Sequence, residues 1–300
     1  MEPVILPKTI AGFVVRFSGR HQIGLAILSI AVFALSAAPL ELQRRIVNDA
    51  IKSGMVDRII WLAAAYAGVA LTEQSLKLLL NVYRAWVAEN SVRLLRREVA
   101  KLHEHNADET GIGLAMMVSE VEPIGGFVGI SISEPLLQGG ILISVIGYMV
   151  FLEPWTAVLS MAFLGPQMVF VPLMQFAINR RAETRIRTIR ELSGEVIGAG
   201  NPADEKIEHV FTLNMGIYKI KYSMNLAMNL MQYLSVAAAL GVGGWFVALD
   251  RIQIGTVVAV VAGLGKLNDP WGDLVSWGRE FSVVGVKYRL FVAAIKKLAV

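Results

Sequence analysis

An all-α membrane protein with six transmembrane helices and long cytoplasmic extensions of helices 2–5 is the fold predicted by three features of this 300-residue sequence. The first is composition. It is 55% hydrophobic and only 17% charged, with a mean hydropathy of +0.57, whereas soluble domains carry about 25% charged residues. The second is a set of runs without Asp, Glu, Lys or Arg: 22–40, 136–152, 155–179 and 222–249. A bilayer needs about 20 such residues, and two shorter apolar runs, 59–72 and 252–265, reach that length if they continue through a few polar ones. The third is where the cations fall. Only Arg44, Arg45, Lys52, Arg58 and Arg251 lie in the loops between helices 1 and 2 and helices 5 and 6, and the loop at Glu153-Pro154 has none. The positive-inside rule then predicts that both termini are cytoplasmic.

The same features narrow the function classes. With no cysteine, thiolate metal sites and disulfides are excluded. The excess of 28 Lys+Arg over 24 Asp+Glu follows topology, so no nucleic-acid partner is expected. The N-terminus lacks a signal-peptide pattern. Residues 1–20 instead predict an interfacial elbow helix, with Lys8, Arg16 and Arg20 set against Ile10, Phe13, Val14 and Phe17. The expected location is the bacterial plasma (inner) membrane, with lipids as the first partner.

Taken in order, helix 1 covers 21–51, and Pro39 bends it without ending it. Helix 2 with its leg covers 57–105, on the order of 70 Å at 1.5 Å per residue, more than twice the hydrocarbon thickness. A coupling turn occupies 106–119. Helix 3 covers 120–152, and helix 4 with its leg covers 155–198. A second turn at 199–204 contains Asn201-Pro202. Helix 5 covers 205–249 and helix 6 covers 254–295. No linker, low-complexity segment or second domain is visible.

Several local patterns resemble the transmembrane domain of ATP-binding cassette exporters of the six-helix type. After helix 1 the run Pro39-Leu40-Glu41 through Val47-Asn48-Asp49-Ala50-Ile51 is similar to the family's Pro-Leu…Ile-Asp-Ala ending. In the first inner loop, Gly111, Glu120-Val121, Ile124 and Phe127-Val128-Gly129 resemble its Gly-Asp…Asp-Val…Ile…Phe-Val-Gly pattern. Gly243-Gly244-Trp245, Ile254-Gly255-Thr256 and Asn268-Asp269-Pro270 resemble its Gly-Gly…Leu-Thr-x-Gly…Asp-Pro signature. The resemblance spans 13–295 and implies a permease subunit that dimerises with a second transmembrane subunit. It also implies that a nucleotide-binding ATPase domain or subunit grips 107–117 and 195–204. Gly111, Met116, Glu120 and Glu195 are then the coupling residues. Met116 stands where members often carry Arg, and Glu120 where they carry Asp. The chain has no phosphate-binding loop of its own: Gly263-Leu264-Gly265-Lys266-Leu267 lacks the length and hydroxyl, and Leu192-Ser193-Gly194-Glu195 lacks the signature's second glycine. No enzymatic activity is expected from this chain alone; ATP and Mg²⁺ would enter through the partner.

Ionisable groups inside a membrane are costly, so their positions are the candidate site. On helix 6, Lys266, Asp269, Asp273, Trp277 and Glu280 recur at spacings of three and four, forming one polar stripe. Glu73 and Lys77 stand at i,i+4 on helix 2. Glu73, Lys77, Lys266, Asp269 and Asp273 read either as the wall of a substrate path or as locally neutralised pairs. Glu134 reads as a partner for a nearby Arg. Gln138, Gln167, Gln175 and Asn229 read as path lining or interhelical hydrogen bonds. His103-Glu104-His105 reads as a solvated leg tip, since adjacent ligands do not share a helix face. Met215, Met224, Met228 and Met231 read as packing or an adaptable ligand surface. Gly139, Gly140, Gly241, Gly243 and Gly244 are expected to allow close helix approach. The transport reading has two alternatives: a proton-coupled secondary transporter on the same fold, and a non-transporting accessory membrane subunit.

Overall fold

The computed structural model describes residues 6–51, 54–103, 121–199 and 204–298. Among them the secondary structure is entirely helical: α1 (Ile10–Leu35), α2 (Ala38–Arg45) with a π-helical continuation (Ile46–Ile51), α3 (Val56–His103), α4 (Val121–Ile130), α5 (Ser133–Leu152), α6 (Pro154–Leu164), α7 (Gln167–Ala199), α8 (Asp204–Ala248), α9 (Ile254–Gly265) and α10 (Asn268–Leu298). Among the described residues five helical stretches are long and apolar enough to cross a membrane: Ile10–Asp49, Val56–Ala100, Val121–Leu152, Pro154–Ile189 and Asp204–Ala248. The expected sixth, 254–295, does not join them. Its apolar stretch ends at Gly265, the polar Lys266, Asn268 and Asp269 follow, and the helix itself is interrupted at Lys266-Leu267. A second expectation also changes. α1 runs unbroken from Ile10 through Arg20 to Leu35, so the elbow expected to end at residue 20 is continuous with the first span. Thr9 caps it, its hydroxyl accepting from Gly12 N at 3.2 Å.

Prolines account for three of the interruptions. Pro39, Pro135 and Pro270 each stand in the first turn of the second piece of a broken helix. None has an N–H to offer the carbonyl four residues back, on Leu35, Ser131 and Lys266 respectively. Backbone groups freed within lipid need partners from the protein. Trp277 Nε1 donates to the Ser131 carbonyl at 3.2 Å. Lys266 Nζ donates to the Ser36 carbonyl at 2.9 Å, whose usual partner, Leu40 N, bonds Ala37 instead.

The chain forms two compact units, Met1–Leu152 with Ile254–Val300, and Glu153–Gln253. In the first unit α3 packs along α4, α1 along α3 and α5, α10 along α5, and α9 against α2. Its core includes Phe13, Leu25, Leu80, Leu95, Ile124, Met149, Tyr288 and Phe291. The α3–α4 contact depends on Gly125 and Gly129, which lie against Ala88, Val92 and the Arg84 carbonyl. Of the glycines expected to permit close approach, Gly140 receives the Phe33 ring and Gly243 is buried, whereas Gly139, Gly241 and Gly244 have open space where a Cβ would stand.

The second unit is α6 and α7 laid against α8. Ser235, Ala239 and Gly243 are the buried positions of α8, and Thr156, Ala157, Ser160 and Leu164 those of α6. Small residues at spacings of four on both helices allow the backbones to approach closely, the usual basis of helix association in lipid. α8 closes at Asp250, which takes a left-handed φ of 55° while Arg251 N reaches back to the Phe246 carbonyl at 2.9 Å. Aspartate is among the few non-glycine residues that tolerate this conformation.

Candidate functional site: a charged cavity in the first unit

α3 carries Glu73, Lys77, Asn81 and Arg84 at helical spacings of three and four, which puts all four on one face. That face meets the start of α5 and the break between α9 and α10, and together they enclose a cavity of about 450 Å³. Its walls are Glu73, Lys77, Asn81, Arg84, Glu134, Gln138, Lys266, Asp269 and Asp273, with Ser36, Leu80, Leu137, Ile141 and Pro270 between them. All five path residues read from the sequence therefore line the same cavity. The break in helix 6 is part of the reason. Lys266, lying in the break, reaches the Ser36 carbonyl, while Asp269 and Asp273 stand one turn apart in the first turns of α10.

The charges interlock. Lys77 Nζ lies 2.7 Å from Glu73 Oε1, and Arg84 Nη1 lies 2.5 Å from Glu134 Oε2. Arg84 Nε also donates to Ser133 Oγ at 2.8 Å. Gln138 Nε2 is shared between Glu134 Oε1 and Asp273 Oδ2, both at 2.8 Å, so a neutral amide links two carboxylates. Glu73 and Arg84 are buried, at 6% and 8% exposure. Buried ions are tolerable only when paired and hydrogen-bonded, and the Glu73–Lys77 and Arg84–Glu134 pairs meet that condition. One donor is left over: Arg84 Nη2 is buried with no partner. The cavity holds four carboxylates (Glu73, Glu134, Asp269, Asp273) and three bases (Lys77, Arg84, Lys266), so its formal charge is negative.

Arg84, Asn81 and Ser36 are the polar lining residues that sequence reasoning did not single out. The signal for two of them was present, because Glu73, Lys77, Asn81 and Arg84 continue one helical stripe. Ser36 had none, since its contribution is a main-chain carbonyl exposed by a helix break. Glu134 takes the role expected of it, as the ion-pair partner of an arginine.

Lys266→Met is expected to destabilise the first unit by roughly 1–3 kcal/mol, because the Ser36 carbonyl is left without a donor. Thermal unfolding in detergent, followed by tryptophan fluorescence, measures it. An unfolding midpoint equal to wild type would mean that water caps that carbonyl equally well.

The remaining candidates lie elsewhere. Gly111, Met116 and Glu120 fall outside the described residues. Glu195 lies near the end of α7. His103 ends α3, while Glu104 and His105 fall outside the described residues. Among the described residues no group of three or more His, Cys, Asp or Glu side chains is placed to hold a metal ion. Gln175 bonds Asn179 within α7, Gln167 is buried and Asn229 is exposed. Met224, Met228 and Met231 are half-buried and Met215 is exposed.

Comparison with protein-family models and with curated proteins gives no match to this sequence. Composition, helix length and the satisfied helix breaks stand by themselves, and they make this chain an all-α integral membrane protein.

Proposed function

We propose that this chain is the membrane-spanning permease subunit of a transporter resembling the ATP-binding cassette exporters. ATP hydrolysis would be supplied by a separate nucleotide-binding partner. The observation that carries the reading is the charged cavity between α3, α5 and the α9–α10 break. Two spanning helices and a discontinuous one each contribute ionisable groups to a space of drug-like size, and binding sites of about 300–1,000 Å³ are the usual range for small molecules. In this reading the cavity belongs to the substrate path, the six-helix exporter topology includes the broken 254–298 segment, and two such subunits assemble around a common route. The partner ATPase grips the two cytoplasmic turns, through Gly111, Met116 and Glu120 in one and Glu195 in the other.

Affinity purification of the tagged chain from its native membrane tests this directly. The expected result is a dimer by native mass spectrometry that co-purifies with an ATPase carrying a phosphate-binding loop, and whose ATP turnover falls at least several-fold in Asp273→Asn. A chain that remains monomeric and brings down no such ATPase would falsify the reading. A specific observation favours one alternative: a proton-coupled carrier needs a titratable carboxylate on its path, and the cavity has four, one more than its bases. Uptake into liposomes driven by a pH gradient without ATP, and lost in Glu73→Gln, would select that mechanism.

A further inference from the structure

The second unit carries a separate feature that owes nothing to the transport reading. On α7 the charge-free run ends at Asn179 and the next residues are Arg180 and Arg181; on the antiparallel α8 the corresponding run begins at Tyr222, just after Lys219 and Lys221. The two helices therefore change from apolar to basic at the same level. Tyr218 and Tyr222 stack there, with ring centroids 6.2 Å apart, and both are exposed, as expected of aromatic residues at a membrane–water boundary.

Just on the basic side of this level a groove of about 520 Å³ opens between the helices, lined by Arg181, Phe211, Thr212, Met215, Gly216 and Lys219. Gly216 makes it possible. A Cβ there would stand 3.3 Å from Arg181 Nε and 3.4 Å from its Cδ, so the bare backbone lets the arginine lie flat across α8. One turn further along α7, Arg185 donates Nη1 to Asn214 Oδ1 at 3.1 Å, but its Nε is buried without a partner. Residues 180–187 and 211–222 carry Arg180, Arg181, Arg185, Arg187, Lys219 and Lys221 against a single carboxylate, Glu183, which already pairs with Arg187 at 2.5 Å. The groove thus sets its cations immediately on the water side of the level where both helices turn apolar. A free anion would use the cations alone; an acidic phospholipid also uses the apolar helix faces that begin beside them.

We propose that the α7–α8 groove is a headgroup site for an anionic phospholipid, its phosphate held between Arg181 and Lys219 and its acyl chains running into the bilayer along the apolar stretches that end at Asn179 on α7 and begin at Tyr222 on α8. Arginine at such a site supplies a planar, two-pronged donor for phosphate oxygens, and Lys219 a point charge.

The full-length chain, purified in a nonionic detergent, is titrated with phosphatidylglycerol, with phosphatidylcholine or with inorganic phosphate, and bound lipid is counted by native mass spectrometry. At about 1 kcal/mol per basic residue near the surface, phosphatidylglycerol should bind roughly thirtyfold tighter than phosphatidylcholine, and Arg181→Gln with Lys219→Gln should remove that difference. Gly216→Leu keeps every charge but displaces Arg181, and is expected to weaken phosphatidylglycerol roughly fivefold, the loss of one such contact. Helicity by circular dichroism identifies any variant that fails to fold, and Arg181→Lys, which keeps the charge, should retain most of the preference. Arg93→Gln with Arg97→Gln, on α3 of the other unit, should leave the preference unchanged. Equal binding of the two lipids, an equal loss in the α3 variant, or displacement of phosphatidylglycerol by millimolar phosphate would each overturn the proposal, the last in favour of a free-phosphate site.

Discussion

Glu134→Ala is expected to lower the stability of the first unit by about 3–5 kcal/mol, the range found when one member of a buried ion pair is removed. The magnitude comes from what is left behind. Arg84 is 8% exposed, and its Nη2 already lacks a partner. Without Glu134 the guanidinium keeps its hydrogen bond to the Ser133 hydroxyl, 2.8 Å from Nε, and the weaker pull of the Asp273 carboxylate, but no direct ion pair. Gln138 loses one of its two acceptors in the same step. The double variant Arg84→Met with Glu134→Leu removes both charges in similar volumes and should recover most of the loss, since replacing a whole buried pair by apolar residues is often neutral or better. Unfolding midpoints of the four species in one detergent complete the cycle. If Glu134→Ala shifts stability by less than about 1 kcal/mol, water must reach Arg84 through the cavity, and the pair is not what holds the guanidinium there.

Gly129→Ala should be nearly as damaging, at or above roughly 3 kcal/mol, the upper end of what overpacking usually costs. A Cβ at this position collides with the Arg84 carbonyl oxygen, a main-chain atom that cannot rotate away, and would also stand 3.2 Å from the Ala88 Cβ. The helices must separate, and the α3 stripe that lines the cavity moves with them. Gly126 provides the control within the same helix. Nothing lies within 4 Å of where its Cβ would stand, so Gly126→Ala should be neutral or stabilise by roughly 0.5–1 kcal/mol through helix propensity. Cysteine pairs placed across α3 and α4 would report the separation as a loss of cross-linking. Equal tolerance of both alanines would contradict the close approach at Gly129.

Much of the helical layout was legible because lipid imposes a simple rule on sequence. A span must be apolar over its whole length, so the runs at 22–40, 136–152, 155–179 and 222–249 reveal their helices without reference to neighbours. Glu73, Lys77, Lys266, Asp269 and Asp273 stood out for a related reason: they interrupt the two shorter apolar runs, 59–72 and 252–265, just where those must continue to reach spanning length. Boundaries were less so. Nothing in the pattern distinguishes an elbow ending at Arg20 from a helix that continues, because Lys8, Arg16 and Arg20 suit either. Prolines at 39, 135 and 270 announce bends, yet only the fold shows which carbonyls at the breaks gain partners: Ser36 from Lys266, far along the chain, and Ser131 from Trp277.

By itself, then, the sequence determined a helical membrane protein with ionisable groups buried in its spans, because hydropathy and charge are local properties of the chain. Tertiary structure alone decided that those groups share one cavity. Whether Glu73, Glu134 and Asp273 neutralise different partners or meet around a common space depends on how α3, α5 and α10 lie against one another. That is set by contacts between residues far apart in sequence, such as Gly129 against Arg84 and Gln138 against Asp273. The same holds for the glycines: Gly129 and Gly139 are indistinguishable as letters, and only the presence or absence of a backbone opposite separates the one that must remain glycine from the one with room for a side chain.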